Sequence, residues 1–319
     1  MGLAAGQQLA AKGANVVIIA RGKDKLLRAL EEIQKAARNS ETQRFLQLPA
    51  DLTDPNESVR VIDEIVAWNS GSPPDIVWCC AGSSLPGLFI ETPVSGFRAQ
   101  MDSNYFSSLY MAHAAMTCWV KTARENAAKS SGAQPRSPAP PARHLIFTAS
   151  FLSFYTFTGY SPYSPSKAAL RSLCDSLSQE SNLYAASYPS EPVIRLHTVY
   201  PATILTESYQ IENTIKPDIT LKLEEDDGGQ TPEVVAAKSI AGLESGLELV
   251  TTTTITALVQ RSVMGGSVRG GFLRVLGDWF LAWLMGIVMV FVRGDMDQKV
   301  RAWGTKHGTI GKLANNKQS

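Results

Sequence analysis

The feature that most narrows what this chain can fold into is an alternation. Short, continuous apolar runs recur: NVVIIAR (15–21), RFLQLPADLTD (44–54), PPDIVWCCAG (73–82), HLIFTAS (144–150) and PVIRLHTVYPA (192–202). Each leads into a longer segment, several of them helically periodic, such as KDKLLRALEEIQKAAR (23–38) and NESVRVIDEIVAWN (56–69). A strand that is apolar throughout suits a sheet covered on both faces, which is the habit of parallel sheets. Strand and helix alternating at this spacing imply an α/β fold, a doubly wound parallel sheet flanked by helices.

Composition narrows the function classes. A chain of 319 residues holds one large α/β domain plus an extension. A formal net charge of +1 gives no reason to expect a nucleic-acid partner. Cys79, Cys80, Cys118 and Cys174 show no CxxC pairing. Cys79 and Cys80 lie in an apolar run, so buried thiols in a reducing compartment are expected. Four histidines without ligand spacing predict no metal.

The chemistry concentrates between His144 and Glu180, where an apolar strand, a loop and a long helix follow one another. Ser150 stands at the strand end, and Tyr163 and Lys167 are four residues apart on the helix. That spacing puts phenol and ammonium on one face, about one turn apart. A tyrosine with its ordinary pKa of about 10 is a poor acid or base at neutral pH. A nearby Lys cation lowers that pKa. A serine hydroxyl across the loop orients a carbonyl or hydroxyl oxygen. Together they suit protonation of a ketone oxygen while a hydride reaches carbon, or the reverse. A surface Tyr and Lys on an amphipathic helix is the plainer reading of YxxxK; the Ser thirteen residues ahead shifts the weight to catalysis.

The pattern TAS150…Y163SPSK167 resembles the catalytic segment of the short-chain dehydrogenase/reductase family. That resemblance implies a Rossmann-type fold, a nicotinamide cofactor, and Asn104 in MDSNYFSSLYMAH as a fourth catalytic residue holding the proton relay. Members carry TGxxxGxG after a first strand. Here only Met1-Gly2-Leu3-Ala4 matches, with Gly2 as the last glycine, so the first strand and the start of the Gly-rich turn are expected to be missing, as in a truncated chain. The helix at 2–14 is expected to bury Leu3, Leu9 and Ala10 and to stop at Gly13. Arg21 and Lys25 match the family's NADPH-type pattern, because an Arg at this strand end binds the 2′-phosphate. Asp51 and Leu52 match the adenine contacts, and Ala81 and Gly82 end the next strand. Pro201 and Thr206 match the loop over the nicotinamide, where Ala202 replaces the usual Gly; a plain helix cap is the alternative for Thr206. The polar stretch to Gly229 is expected to be a flexible lid, and 129–143 a Pro/Ser-rich mobile insertion. ELVTTTTITALVQ (248–260) is expected to give an edge strand and a turn.

FLRVLGDWFLAWLMGIVMVFVR (272–293) is the second informative stretch. A membrane span wants about 20 apolar residues, and this run holds Arg274 and Asp278 near its start. A single span, an interfacial helix and a helix of a homo-oligomer are the three readings, with membrane association favoured. The expected domains are 1–266, the Rossmann domain, and 267–319, a membrane-associated helix and basic tail. GYSPYSPSKAALRSLCDSLSQE, WCCAGSSLPGLFIE and ARGKDKLL resemble the 3-ketodihydrosphingosine reductases within the family. The resemblance implies NADPH-dependent reduction of a long-chain keto-amine lipid on the cytosolic face of the endoplasmic reticulum membrane. The alternatives are a membrane-bound steroid or retinoid reductase of the same family, and an inactive form.

Overall fold

The computed structural model describes residues 1–129, 140–225, 227–263 and 271–307. The elements run α1 (Gly2–Ala11), β1 (Val16–Ala20), α2 (Lys23–Lys35), β2 (Phe45–Pro49), α3 (Pro55–Trp68), β3 (Ile76–Cys79), α4 (Val94–Met101), α5 (Ser107–Lys129) and β4 (Arg143–Thr148). They continue with α6 (Ser164–Ser187), β5 (Ile194–Tyr200), α7 (Glu207–Ile215), α8 (Asp218–Leu223), α9 (Pro232–Glu244), β6 (Leu249–Thr251), α10 (Thr254–Ser262) and α11 (Phe272–His307). Helix starts follow local chemistry. Asp54 accepts from the Asn56 amide ahead of Pro55, and Thr231 and Thr253 cap α9 and α10 in the same way.

Every strand pairing is parallel, as the apolar runs imply. The strands fall into two sheets, β1-β2 and β3-β4-β5-β6. Among the described residues no strand joins β1 to β3. Side chains hold the halves together. Val17 and Ile19 of β1 pack into the same core as Val61 and Ile65 of α3, Cys79 of β3 and Trp119 of α5. Helix α1 packs against α2 on one side and α9 on the other, bridging the two sheets.

The face that α1 buries differs from expectation. Ala4, Ala5, Gly6 and Ala10 are buried, while Leu3 stays 36% exposed. A Cβ on Gly6 would come within 2.8 Å of Ile33 of α2, so this close helix approach selects small residues over Leu. The four cysteines are free thiols, two of them buried and two half-buried. Behind the sheet, His144 of β4 and His197 of β5 meet at 2.9 Å, and His197 Nδ1 lies 2.9 Å from the Leu247 carbonyl. A carbonyl only accepts, so His197 carries its proton on Nδ1 and accepts at Nε2 from His144 Nδ1.

Two expectations are revised. The polar stretch 216–229 is not plain loop; α8 forms within it. The stretch after the edge strand β6 forms the helix α10. Around Asn104, α4 and α5 are joined by a π-helical turn, Asp102–Phe106. Of the expected insertion, 130–139 lies outside the described residues, as does the basic tail beyond His307.

Candidate active site

The site is built at the carboxyl ends of the strands, where an open α/β sheet places its ligands. Ser150 lies just past β4 in extended backbone (φ −165°), and its Oγ accepts from the Leu152 amide at 3.2 Å, capping the short turn Phe151–Ser153. Tyr163 occupies the N-cap position of α6, half-buried, with the Ser150 hydroxyl near enough to favour its charged form. Lys167 follows one turn on, 5% exposed. Its Nζ lies 5.8 Å from the centre of the Tyr163 ring and donates to the Thr148 carbonyl at 3.0 Å.

Asn104 is fully buried and sits within the π turn. Such a turn inserts an extra residue into the helical ladder and re-aims the side chains around it. Its Oδ1 accepts from the Ser83 amide at 3.0 Å, and its Nδ2 donates to the Ser83 carbonyl at 2.9 Å and to Gln100 Oε1 at 3.3 Å. Gly82 is wedged between the catalytic candidates. A Cβ there would stand 2.5 Å from Asn104 Oδ1 and 3.2 Å from Lys167 Nζ. Thus Ser150, Tyr163 and Lys167 converge as their spacing suggests, and Asn104 joins them as the resemblance implies.

The electrostatics differ from expectation in one respect. Burial pushes the Tyr163 phenol well above its ordinary pKa; the Ser150 hydrogen bond offsets part of this, and the Glu212 carboxylate adds to it. Burial lowers Lys167 to about 8, against the pull of Cys80. Loss of water is the largest influence on Tyr163, and the Lys167 ammonium donates to the Thr148 carbonyl. The phenol is held protonated, which is the form a proton donor to a ketone requires.

The cofactor candidates line the same edge. Arg21 is exposed just after β1, and its charge helps lower the Asp51 carboxyl, behind hydrogen bonds from the Thr53 hydroxyl and amide. Leu52, next along, packs on the core. Ala81 and Gly82 follow β3. Gly2 opens α1, and a Cβ on it would lie 3.3 Å from Cys80 Cβ, so the N-terminus of α1 abuts the end of β3. Thr206 caps α7, its Oγ1 accepting from the Tyr209 amide at 3.1 Å. Lys25, on α2, lies 3.8 Å from Glu207 beside that cap, with both side chains exposed.

A second cluster adjoins the site that sequence reading did not find. Lys216, 1% exposed, reaches Glu224 at 2.6 Å and Glu212 at 3.3 Å. The Tyr160 hydroxyl donates to the same two carboxylates, at 2.6 and 3.0 Å. The Tyr160 ring centre is 6.2 Å from that of Tyr163. Gly159, with φ +99°, lets the loop fold against α8, where the Thr220 hydroxyl donates to the Thr158 carbonyl. No short motif marks these residues, since they lie on separate segments. Ser83 and Gln100, which hold Asn104, were missed for the same reason.

Known proteins agree with this geometry. The short chain dehydrogenase family matches residues 1–214. A 3-ketodihydrosphingosine reductase of Aspergillus fumigatus is 43% identical over 316 residues, covering 97% of this chain and 83% of the relative. One from Neurospora crassa is 40% identical, covering 97% and 80%. Among solved structures, a short-chain dehydrogenase from Sphingobium yanoikuyae in complex with NADPH superposes with a TM-score of 0.63 at 18% identity, covering 83% of this chain and 89% of that one. One from Mycobacterium ulcerans gives 0.61 at 20%, covering 78% and 82%. With the Ser–Tyr–Lys–Asn geometry, the parallel sheets and these matches in agreement, the chain belongs to the short-chain dehydrogenase/reductase family.

Proposed function

We propose that this protein reduces 3-ketosphinganine to sphinganine with NADPH, at the cytosolic face of the endoplasmic reticulum membrane. The observation that carries the reading is Tyr163 at the start of α6, with Ser150 at the end of β4 and Lys167 one turn further on, in a chain this similar to two fungal 3-ketodihydrosphingosine reductases.

The residues at the strand ends fit the dinucleotide. Arg21 and Lys25 are exposed cations where a 2′-phosphate would lie, and Asp51 and Leu52 border the adenine position. The amide groups opening α1 behind Gly2 suit the pyrophosphate, as a helix N-terminus does. Gly82, with no space for a Cβ, borders the nicotinamide end, with Ala81 before it and Thr206 across the edge. When bound, NADPH supplies the hydride.

The chain's own residues supply the rest. Ser150 orients the ketone oxygen and holds the Tyr163 phenol in place. Tyr163 donates its proton to that oxygen as charge develops. Lys167, buried and charged below about pH 8, stabilises the phenolate left behind and reaches the cofactor ribose. Asn104, locked by Ser83 and Gln100, fixes the route by which Lys167 is reprotonated. The substrate's alkyl chain stays in lipid, which accounts for an apolar helix beside a catalytic domain.

The test is NADPH oxidation with 3-ketosphinganine by the chain and by Tyr163→Phe. Turnover that falls by roughly 10²–10⁴-fold in the variant supports the assignment. No turnover on this ketone, with activity on a steroid or retinal, would keep the chemistry and refute the substrate.

A further inference from the structure

Helix α11 is long and apolar enough to cross a membrane, with a mean hydropathy of 2.1 over an 18-residue window. Its packing argues for a different placement. A buried Asp278 and the half-buried Val275, Ala282, Met285, Met289 and Met296 recur every three, four or seven residues. At 3.6 residues per turn they form one stripe down the helix. That stripe faces the catalytic domain. α11 packs on α10 and on α8. Near one end, Asp278 pairs with Arg261 of α10 at 3.0 Å. Near the other end of the apolar segment, Arg293 and Asp297 lie within electrostatic reach of Tyr155, on the loop between Ser150 and Tyr163.

The opposite face is bare. Phe272, Trp279, Phe280, Trp283, Val290 and Phe291 are each at least 66% exposed. The exposed large apolar residues between 272 and 292 span about 220° of the helix at 100° per residue. The seam with a second copy of the chain would cover only a narrow stripe, whereas hydrocarbon covers the whole arc. Charge agrees. From Arg293 to His307 there are four basic residues (Arg293, Lys299, Arg301, Lys306) against two acids (Asp295, Asp297), a net positive end suited to anionic headgroups.

We infer that α11 lies in the plane of one lipid leaflet, its inward stripe on the catalytic domain and its outward arc in the bilayer, with both helix ends on the same side of the membrane. A transverse span would strip the stripe from α8 and α10 and carry Asp278 toward hydrocarbon without Arg261, where a charged side chain is poorly solvated. The placement sets the loop bearing Tyr155 beside the lipid surface, so a long-chain ketone enters sideways from the leaflet. This rests on the reading that the enzyme works on a membrane lipid.

The experiment uses the full chain made in the presence of closed endoplasmic reticulum vesicles. Exposed Lys306→Cys is treated with a membrane-impermeant maleimide mass tag, beside exposed Lys23→Cys on the catalytic domain and the parent chain for background. The expected result is that both variants co-sediment with vesicles and are tagged equally without detergent. Tagging of Lys306→Cys only after detergent shows a span and overturns the inference. A chain that stays off vesicles and runs as a dimer also overturns it. Ketone turnover is scored on the same samples. Lost turnover with both sites tagged would refute the substrate and leave the placement standing.

Discussion

Replacing Lys216 with Met removes the only cation among four side chains that meet beside the active site. The methionine keeps the volume of the stem, so the change isolates charge. Lys216 is 1% exposed, and its partners Glu212 and Glu224 have side chains 15% and 10% exposed. Its Nζ also lies 4.6 Å from the Tyr209 ring centre. Removing one partner of a buried ion pair leaves uncompensated charge and costs about 3–5 kcal/mol. Here two carboxylates would face each other with only the Tyr160 hydroxyl between them. For a domain of this size roughly 2–4 °C accompany each kcal/mol, so the melting temperature should fall by about 10 °C. Glu224→Gln alone leaves Lys216 paired with Glu212 and should cost less. The double variant removes one carboxylate along with the cation, so it should recover part of the loss, giving a coupling energy of about 1–3 kcal/mol. Thermal and urea melts of the four proteins close the cycle. A Lys216→Met protein as stable as the parent, or losses that simply add, would refute the idea that this cluster is electrostatically closed.

Three further outcomes are expected. Lys167 is lowered from 10.5 to about 8, so the unfolded chain holds that proton more tightly; stability is lost as pH falls from about 10.5 toward 8, by on the order of 3 kcal/mol. Lys167→Met should therefore melt higher than the parent at pH 7 while losing turnover, even after the Thr148 carbonyl loses a hydrogen bond worth about 1 kcal/mol. Gly82→Ala should reduce turnover at least tenfold and lower the melting temperature, because its methyl group would displace Asn104 and Lys167; unchanged activity would show that their placement is dispensable. Burial lowers the pKa of both His144 and His197, with Arg195 opposing their charge and Glu248 favouring that of His197. The unfolded chain then takes up more protons below about pH 6.5, so stability falls as pH drops through that value. His197→Asn, which keeps a donor for the Leu247 carbonyl, should show a shallower loss of melting temperature from pH 7 to pH 5.

Much of the site was legible because its residues are local in sequence. Tyr163 and Lys167 share a helix face by spacing alone, and Ser150 follows an apolar run that can only be a buried strand. Those constraints act over a few residues, where backbone periodicity decides direction. Parallel pairing followed from the same kind of evidence, since strands apolar on both faces need helices on both sides. The apolar stretch near the C-terminus was equally plain from composition.

Other features needed distant segments to meet. Lys216, Glu212, Glu224 and Tyr160 come from separate elements, and nothing in any one of them signals a closed charge cluster. The protonation of Tyr163 turns on how much water the fold excludes, which no spacing of residues shows. Leu3 looked like a core residue, yet the face that α1 buries carries Ala4, Ala5, Gly6 and Ala10. The inward stripe of α11 was invisible beneath a helix apolar almost all round, because hydrophobicity alone does not say whether protein or lipid covers a surface. The sequence by itself determined the strand and helix alternation and the candidate reacting side chains. Tertiary packing decided which charges are buried, which are paired, and which face of the last helix is left exposed.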